Sequence, residues 1–200
     1  MKKPRVVLFD LGNVLVRYMP ESFWEVLGIA EKEQQERYKK DVNAVAARFE
    51  SGRITTQKFL DELGAIFGGE FDNEQLRQAT ASVLTDPIPG MEGILQRVSQ
   101  RAVTALVSNT NEFHYAYCLH AIPALQLLPK HFLSFRMGVM KPDRAFYEHV
   151  TNELRIEPSE ALFIDDIREN VEEAERFGMK GIVFQGPELL RAALKTMKIL

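Results

Sequence analysis

The stretch Val6-Val7-Leu8-Phe9-Asp10-Leu11-Gly12-Asn13-Val14-Leu15-Val16 constrains the fold more than any other part of the chain. Four consecutive apolar residues without alternation predict a strand buried on both faces, the pattern of a parallel sheet. The run stops at a carboxylate followed by Gly and Asn. Asp10 then stands at the carboxyl end of a central strand, where open α/β sheets bind their ligands. The same residue could equally open a turn, since Asp and Asn supply turns in most loops. The rest of the chain decides between the two.

After Val16 the pattern changes. Arg17-Tyr18-Met19-Pro20 reads as a hinge, and from there to about Leu84 the periodicity is helical, with no strand pattern. A first helix near residues 22–30 carries Phe23, Trp24 and Leu27. Val42, Val45, Ala46 and Phe49 follow i, i+3, i+4, i+7, and Phe59, Leu60, Leu63, Ile66 and Phe67 do the same after a start signal at Thr55 or Thr56. Asp72 with Gln75 resembles a capping box before Leu76, Ala79 and Val83. From Thr85 onward strands and helices alternate, which predicts crossover units building a parallel sheet. Apolar runs at 103–107, 132–135, 161–164 and 181–184 are the expected strands. Helices carry Met91, Ile94, Leu95 and Val98; residues 112–128, broken by Pro123; Phe146, Tyr147 and Val150, with Pro142 in the first turn; Val171 and Ala174, stopped by Gly178; and a last helix opened by Pro187. The expected architecture is α/β: a Rossmann-like parallel-sheet core of residues 1–16 and 85–200, with a helical-bundle cap of residues 17–84 inserted after the first strand. A cap that closes over strand ends can exclude water during a reaction.

Composition narrows the function classes. With 46% hydrophobic and 26% charged residues in 200, the chain can bury a sizeable core. A net charge of -3 gives no general basic field, so nucleic acid is not an expected partner. The single cysteine, Cys118, precludes an intramolecular disulfide and reads as a small core residue, and no Cys/His cluster has zinc-ligand spacing. Lys2 and Lys3 precede an apolar run far too short for a signal sequence, and no run reaches membrane-spanning length. The expectation is a cytoplasmic protein with no membrane partner, a monomer or homodimer.

Polar groups stand at the predicted strand ends beside Asp10: Ser108-Asn109-Thr110-Asn111 after Val107, Asp165-Asp166 after Ile164, and Lys141 before Pro142. Each has a structural alternative: a cap or turn hydroxyl for Ser108, turn amides for Asn109 and Asn111, a helix cap for Asp166 with Glu169, a solvated charge for Lys141. Together they describe a site. Three carboxylates at one end of a sheet repel one another unless a cation sits among them. Oxygen ligands without Cys or His favour Mg²⁺, which keeps waters and takes substrate phosphate oxygens. A Ser hydroxyl and a Lys ammonium can bind the remaining phosphate oxygens, and Lys also keeps a carboxylate nucleophile ionised. Asp serves as nucleophile in phosphoryl transfer through an aspartyl-phosphate.

On these residues the chain resembles the haloacid dehalogenase superfamily of hydrolases, in its members with a small helical cap after the first strand. The resemblance covers essentially the whole chain. Its four motifs are matched by Phe9-Asp10-Leu11-Gly12-Asn13-Val14-Leu15, by Ser108 in Leu106-Val107-Ser108-Asn109-Thr110, by Lys141 in Gly138-Val139-Met140-Lys141-Pro142, and by Phe163-Ile164-Asp165-Asp166 with Asn170 following. The resemblance implies a nucleophile and metal ligand at Asp10, a backbone metal ligand at Gly12, a main carboxylate ligand at Asp166 assisted by Asp165, and Asn170 supporting them from behind. Ser108 and Lys141 would hold the transferring phosphoryl group, with Asn109 beside them as a substrate contact. One position departs from the pattern: the second residue after the nucleophile, an acid-base Asp in most phosphatases of the superfamily, is Gly12. General acid-base help is worth roughly 10²–10⁴ in rate. The subgroup containing bacterial α-glucose-1-phosphate phosphatase shares this Asp-Leu-Gly-Asn-Val run.

Specificity is expected from the cap, above all from Phe49-Glu50-Ser51-Gly52-Arg53-Ile54-Thr55, a polar link between two helices. Arg48, Arg53, Arg17 and Trp24 are the candidate substrate contacts, although an Arg on a cap is commonly solvated and Trp24 commonly core. His114 could reach the site or be structural. The expected activity is Mg²⁺-dependent hydrolysis of a small phosphorylated metabolite, sugar phosphates included. Two alternatives stand beside it: a metal-independent 2-haloacid dehalogenase, which gains nothing from the Asp165-Asp166 pair, and a catalytically idle metal-binding regulator that lost its acid at Gly12.

Overall fold

In the computed structural model, which describes residues 4–200, the central strand is β1 (Val6–Phe9), buried at every residue. It is followed by β2 (Val16–Tyr18) and four helices, α1 (Glu21–Val26), α2 (Lys32–Glu50), α3 (Thr56–Ile66) and α4 (Asn73–Ala81), before the chain returns through β3 (Leu84–Pro87). Then come α5 (Met91–Ser99), β4 (Val103–Ser108), α6 (Glu112–Ala121), β5 (Lys130–Leu133), α7 (Ser134–Met137), α8 (Arg144–Leu154), β6 (Ala161–Asp165), α9 (Arg168–Phe177), β7 (Lys180–Val183) and α10 (Pro187–Thr196). The main sheet is parallel throughout, in the order β5-β4-β1-β6-β7. The chain leaves β1 toward β4 on one side and β6 on the other, so the order reverses at β1 and opens a crevice at its carboxyl end.

The unbroken apolar run of β1 follows from its two covered faces. Val7 and Phe9 pack with α5 (Met91, Ile94, Leu95) and α10 (Leu190, Leu194), while Val6 and Leu8 pack with α8 (Phe146, Tyr147, Val150) and α9 (Val171, Ala174). The α5 side continues without interruption into the inserted helices, where Phe23, Trp24, Val42, Phe49, Phe59, Leu63 and Leu76 belong to the same apolar cluster. Phe49 stacks on Phe59 at 4.3 Å between ring centroids, and both rings reach Phe113 of α6. Asp72 and Gln75 form the expected capping box, and Thr55 caps α3 through its hydroxyl. Among the described residues no helix is long and apolar enough to cross a membrane.

Three details differ from the sequence reading. Residues 17 and 18, read as hinge, belong to β2, which pairs antiparallel with β3 to form a ribbon at the neck of the helical excursion. The strand expected over 132–135 ends at Leu133, and Ser134 opens α7. The helix expected to hold Pro142 in its first turn starts at Arg144, with Asp143 as its cap.

The link between α2 and α3 packs directly on the core. Gly52 has a φ of +67°, and a Cβ there would collide with the carbonyl oxygen of Phe135 in α7. Gly52→Ala combines left-handed strain with that collision, and should cost ~1–3 kcal/mol. Thermal denaturation should show a midpoint several degrees lower; an unchanged midpoint would contradict this packing.

Candidate active site

Strand register brings the chemistry together. Phe9 is level with Leu106 of β4 and Ile164 of β6, so the next residues, Asp10, Val107 and Asp165, emerge side by side. Lys141, from the loop before α8, closes the group. Its Nζ donates to Asp10 Oδ1 at 2.6 Å, to Asp165 Oδ2 at 2.6 Å and to Val107 O at 3.2 Å, with its side chain almost wholly buried. Asn109 Nδ2 donates to Lys141 O (2.8 Å) and Lys141 N–H donates to Asn109 Oδ1 (2.9 Å). The Asn109 carboxamide, expected to contact substrate, is thus engaged in placing Lys141. Asp165 Oδ1 accepts from Ile167 N–H (2.9 Å) and Asn170 Nδ2 (3.0 Å), and Asn170 O accepts from Tyr147 OH (2.8 Å). Asp166 Oδ2 accepts from Asn13 Nδ2 at 3.0 Å; Asn13 has a φ of 52°, a conformation Asn tolerates.

Carboxylate oxygens of Asp10, Asp165 and Asp166 lie within 4.8 Å of one another. Burial pushes the Asp10 carboxyl up to about 7; the Lys141 ammonium opposes that rise and Asp165 adds to it. Burial works against the Lys141 charge, yet the two carboxylates outweigh it and raise its pKa. With all three carboxyls ionised, the one ammonium would leave two negative charges, which a divalent cation would balance. An all-oxygen set of this kind fits Mg²⁺.

A cavity of about 250 Å³ opens over these groups, lined among others by Asp10, Gly12, Asn13, Ser108, Lys141 and Asp166. Asp165, fully buried, lies behind it. A second cavity of about 330 Å³ runs between the inserted helices, lined by Phe23, Trp24, Val42, Phe49, Phe59 and Leu63 with Lys39 and Asn43. Tyr18, Glu50 and His114 line both. Trp24 therefore faces the apolar chamber and not the Asp10 cleft. Arg48 and Arg53 line neither cavity: Arg48 is held by Glu62 at 2.7 and 3.3 Å, and Arg53 is exposed in the loop. Arg17, also exposed, lines neither. In that loop the residue facing the site is Glu50, a position for which the sequence supplied the segment but not the side chain.

Glu50 is fixed from the core. Ser134 Oγ accepts from Thr110 N–H (2.9 Å) and donates to Glu50 O (2.6 Å). Asn111, whose side chain also lowers the Glu50 pKa, caps α6 by accepting at Oδ1 from Phe113 and His114 N–H. Asn111 Nδ2 therefore faces His114 Nδ1 (3.0 Å) as donor, and His114 Nε2–H donates to Thr80 O (2.7 Å). Both ring nitrogens of His114 are engaged, and burial lowers its pKa to about 4. Burial raises Glu50 to about 7, with the Asn111 hydrogen bond opposing it. The folded protein thus retains a proton that the unfolded chain releases near 4.5, so this group costs stability as pH rises from 4.5 to 7. Relative to wild type, Glu50→Gln should gain on the order of 3 kcal/mol between pH 4.5 and pH 8. Urea unfolding of the two proteins at both pH values measures it; a pH-independent difference would mean that Glu50 titrates normally.

The comparisons with known proteins agree with this geometry. The haloacid dehalogenase-like hydrolase family model matches residues 4–178. D-ribitol-5-phosphate phosphatase of Bacteroides thetaiotaomicron is 23% identical over 184 residues, covering 87% of this chain and 88% of the relative. Sesquiterpene phosphatase of Aspergillus oryzae is 29% identical over 189 residues, covering 89% and 88%. A HAD-family enzyme of Bacteroides thetaiotaomicron, solved in complex with magnesium and inorganic phosphate, superposes with a TM-score of 0.82 at 26% identity, covering 92% of this chain and 95% of the other. The chain, with its parallel-sheet core and its aspartate cluster suited to Mg²⁺, belongs to the haloacid dehalogenase-like hydrolases.

Proposed function

We propose that this hydrolase is a Mg²⁺-dependent phosphatase of small phosphorylated metabolites, working through an aspartyl-phosphate on Asp10. The observation that carries the reading is the Asp10 carboxylate fixed by Lys141 at 2.6 Å, at the floor of a cleft shared with Asp166 and Ser108. Residues 1–16 and 85–200 form the catalytic unit in this reading, and residues 17–84 the cap. Asp10, the Gly12 carbonyl and Asp166 would hold the metal, with Asp165 and Asn170 fixing the ligands from behind. Bound there, the cation would neutralise charge on the phosphoryl oxygens. Ser108 Oγ would bind a remaining oxygen, Lys141 Nζ would reach another by exchanging its 3.2 Å contact to Val107 O, and Lys141 favours the anionic form of the nucleophile. Hydrolysis of phosphoesters by the ribitol-phosphate and sesquiterpene relatives supports phosphorus as the point of attack.

The apolar chamber bears on the leaving group. Phe23, Trp24, Phe49 and Phe59 offer apolar contact to whatever the phosphate is attached to, which favours an alcohol with a hydrocarbon or aromatic part over a bare sugar. A dehalogenase reading leaves the aspartate cluster without a purpose, because displacement at carbon needs no metal.

Phosphate release from sugar phosphates, prenyl and alkyl monophosphates and aryl phosphates tests the proposal. Release should require Mg²⁺, stop on chelation and fall at least 10³-fold in Asp10→Asn with the fold retained; metal-independent release, or activity surviving in that variant, would refute it. Calorimetric titration with Mg²⁺ should show Asp166→Ala weakening binding more than Asn170→Ala, which is expected to cost roughly 10-fold. The reverse ranking would displace Asp166 as the principal ligand.

A further inference from the structure

The phosphatase reading leaves the leaving alcohol without a proton donor, because position 12 is a glycine. Crowding does not require that glycine: a Cβ there would meet only Tyr18 Cβ, at an ordinary 3.8 Å. We propose that Glu50, carried by the cap, is the catalytic acid-base residue of this enzyme, at the seam where the Asp10 cleft meets the apolar chamber. This inference rests on the phosphatase reading.

Placement is the first argument. A phosphoester with its phosphorus at Asp10 and its organic part among Phe23, Trp24, Phe49 and Phe59 has its bridging oxygen where the two cavities join. Among the described residues only Tyr18, Glu50 and His114 line both. The second argument is elimination by hydrogen bonding. His114 accepts from Asn111 at Nδ1 and donates its one proton to Thr80 O, so it locks α6 to α4 and has nothing to transfer. Burial, then Glu50 and Glu21, raise the Tyr18 phenol above its ordinary value, which makes it a reluctant donor. Glu50 is anchored through its backbone carbonyl, which accepts from Ser134 Oγ at 2.6 Å. The other charged groups lining the two cavities are Asp10, Lys141 and Asp166 on the core side and Lys39 on the cap side. Burial also retains the Glu50 proton to about 7, the range in which an acid can give and recover it at neutral pH.

The steps balance. An Asp10 carboxylate oxygen forms a bond to phosphorus, the bond from phosphorus to the leaving oxygen breaks with its electron pair going to that oxygen, and Glu50 protonates it to give the free alcohol. Glu50, now a carboxylate, takes a proton from water as that water attacks the aspartyl-phosphate. The bond from phosphorus to Asp10 breaks, inorganic phosphate leaves, and both carboxyl groups return to their starting state.

Leaving-group dependence is the decisive measurement. For wild type, kcat/KM across alkyl and aryl monophosphates should depend weakly on the leaving-group pKa, since the proton is delivered in the transition state. In Glu50→Gln, kcat/KM, which reports the steps through loss of the alcohol, should fall roughly 10²–10⁴-fold for alkyl monophosphates and less than 10-fold for p-nitrophenyl phosphate, whose leaving group needs no proton. A steep wild-type dependence, or an equal loss on both substrate types, would overturn the assignment, and the wild-type series does not depend on the variant folding. Phosphate release that vanishes in Asp10→Asn but ignores Glu50 would remove this inference alone; no release from any monophosphate would remove the phosphatase reading with it.

Discussion

The site depends on one buried ammonium held between two carboxylates. Lys141 Nζ sits 2.6 Å from both Asp10 and Asp165, with hardly any of the three side chains exposed. Removing such charges from water costs several kcal/mol per ion, and their attraction repays it only with good geometry and satisfied remaining valences. Both conditions hold: Val107 O takes a third Lys141 contact, and Asn170 and Ile167 saturate Asp165. Stability alone gives a poor reason for this arrangement, since apolar side chains of similar size would fill the space at less cost. The arrangement holds the Asp10 carboxyl in one orientation at the end of the fully buried central strand.

That strand also explains why the charges converge. In a parallel sheet, neighbouring strands present their carboxyl ends on one edge, and the register of β1 with β4 and β6 places Asp10, Val107 and Asp165 on one level. Positioning Lys141 then falls to Asn109, whose carboxamide makes both backbone hydrogen bonds to it across 32 residues of sequence. Ser134 does the equivalent for the cap, joining Thr110 N–H of the core to the carbonyl of Glu50. Where the two cavities meet, the sheet edge and the inserted helices are thus tied by the Ser134 hydroxyl and by the His114 hydrogen bond to Thr80 O.

What could be read beforehand follows the same division. The β1 run, the Asp72 capping box and the polar residues at strand ends were legible because each is decided by local pattern: burial on two faces, a cap three residues from its partner, a carboxylate where an apolar run stops. The β2/β3 ribbon was not, because a three-residue strand with Arg17 and Tyr18 exposed carries no alternation to detect. Among the inserted helices, charge drew attention to Arg48 and Arg53, yet Arg48 is engaged by Glu62 and Arg53, exposed, lines neither cavity. Glu50 differs from them only in tertiary placement, which the collision of any side chain at position 52 with Phe135 helps to enforce. Asn109 was legible as a site residue but not as the brace of Lys141, since its partner is distant in sequence.

Glycine at position 12 then acquires a meaning for the whole molecule. An acid on the residue two after the nucleophile belongs to the rigid core and is present whether or not the cap is seated. An acid at Glu50 comes from α2, and its pKa depends on burial at the cap–core seam. Opening that seam would hydrate the carboxyl, return it toward its ordinary acidity and leave the leaving group without a donor at neutral pH. Closure would therefore do more than exclude water: it would assemble the acid and set its proton affinity together. If Glu50 is the acid, the chemistry would be coupled to whatever contacts seat the inserted helices on the core.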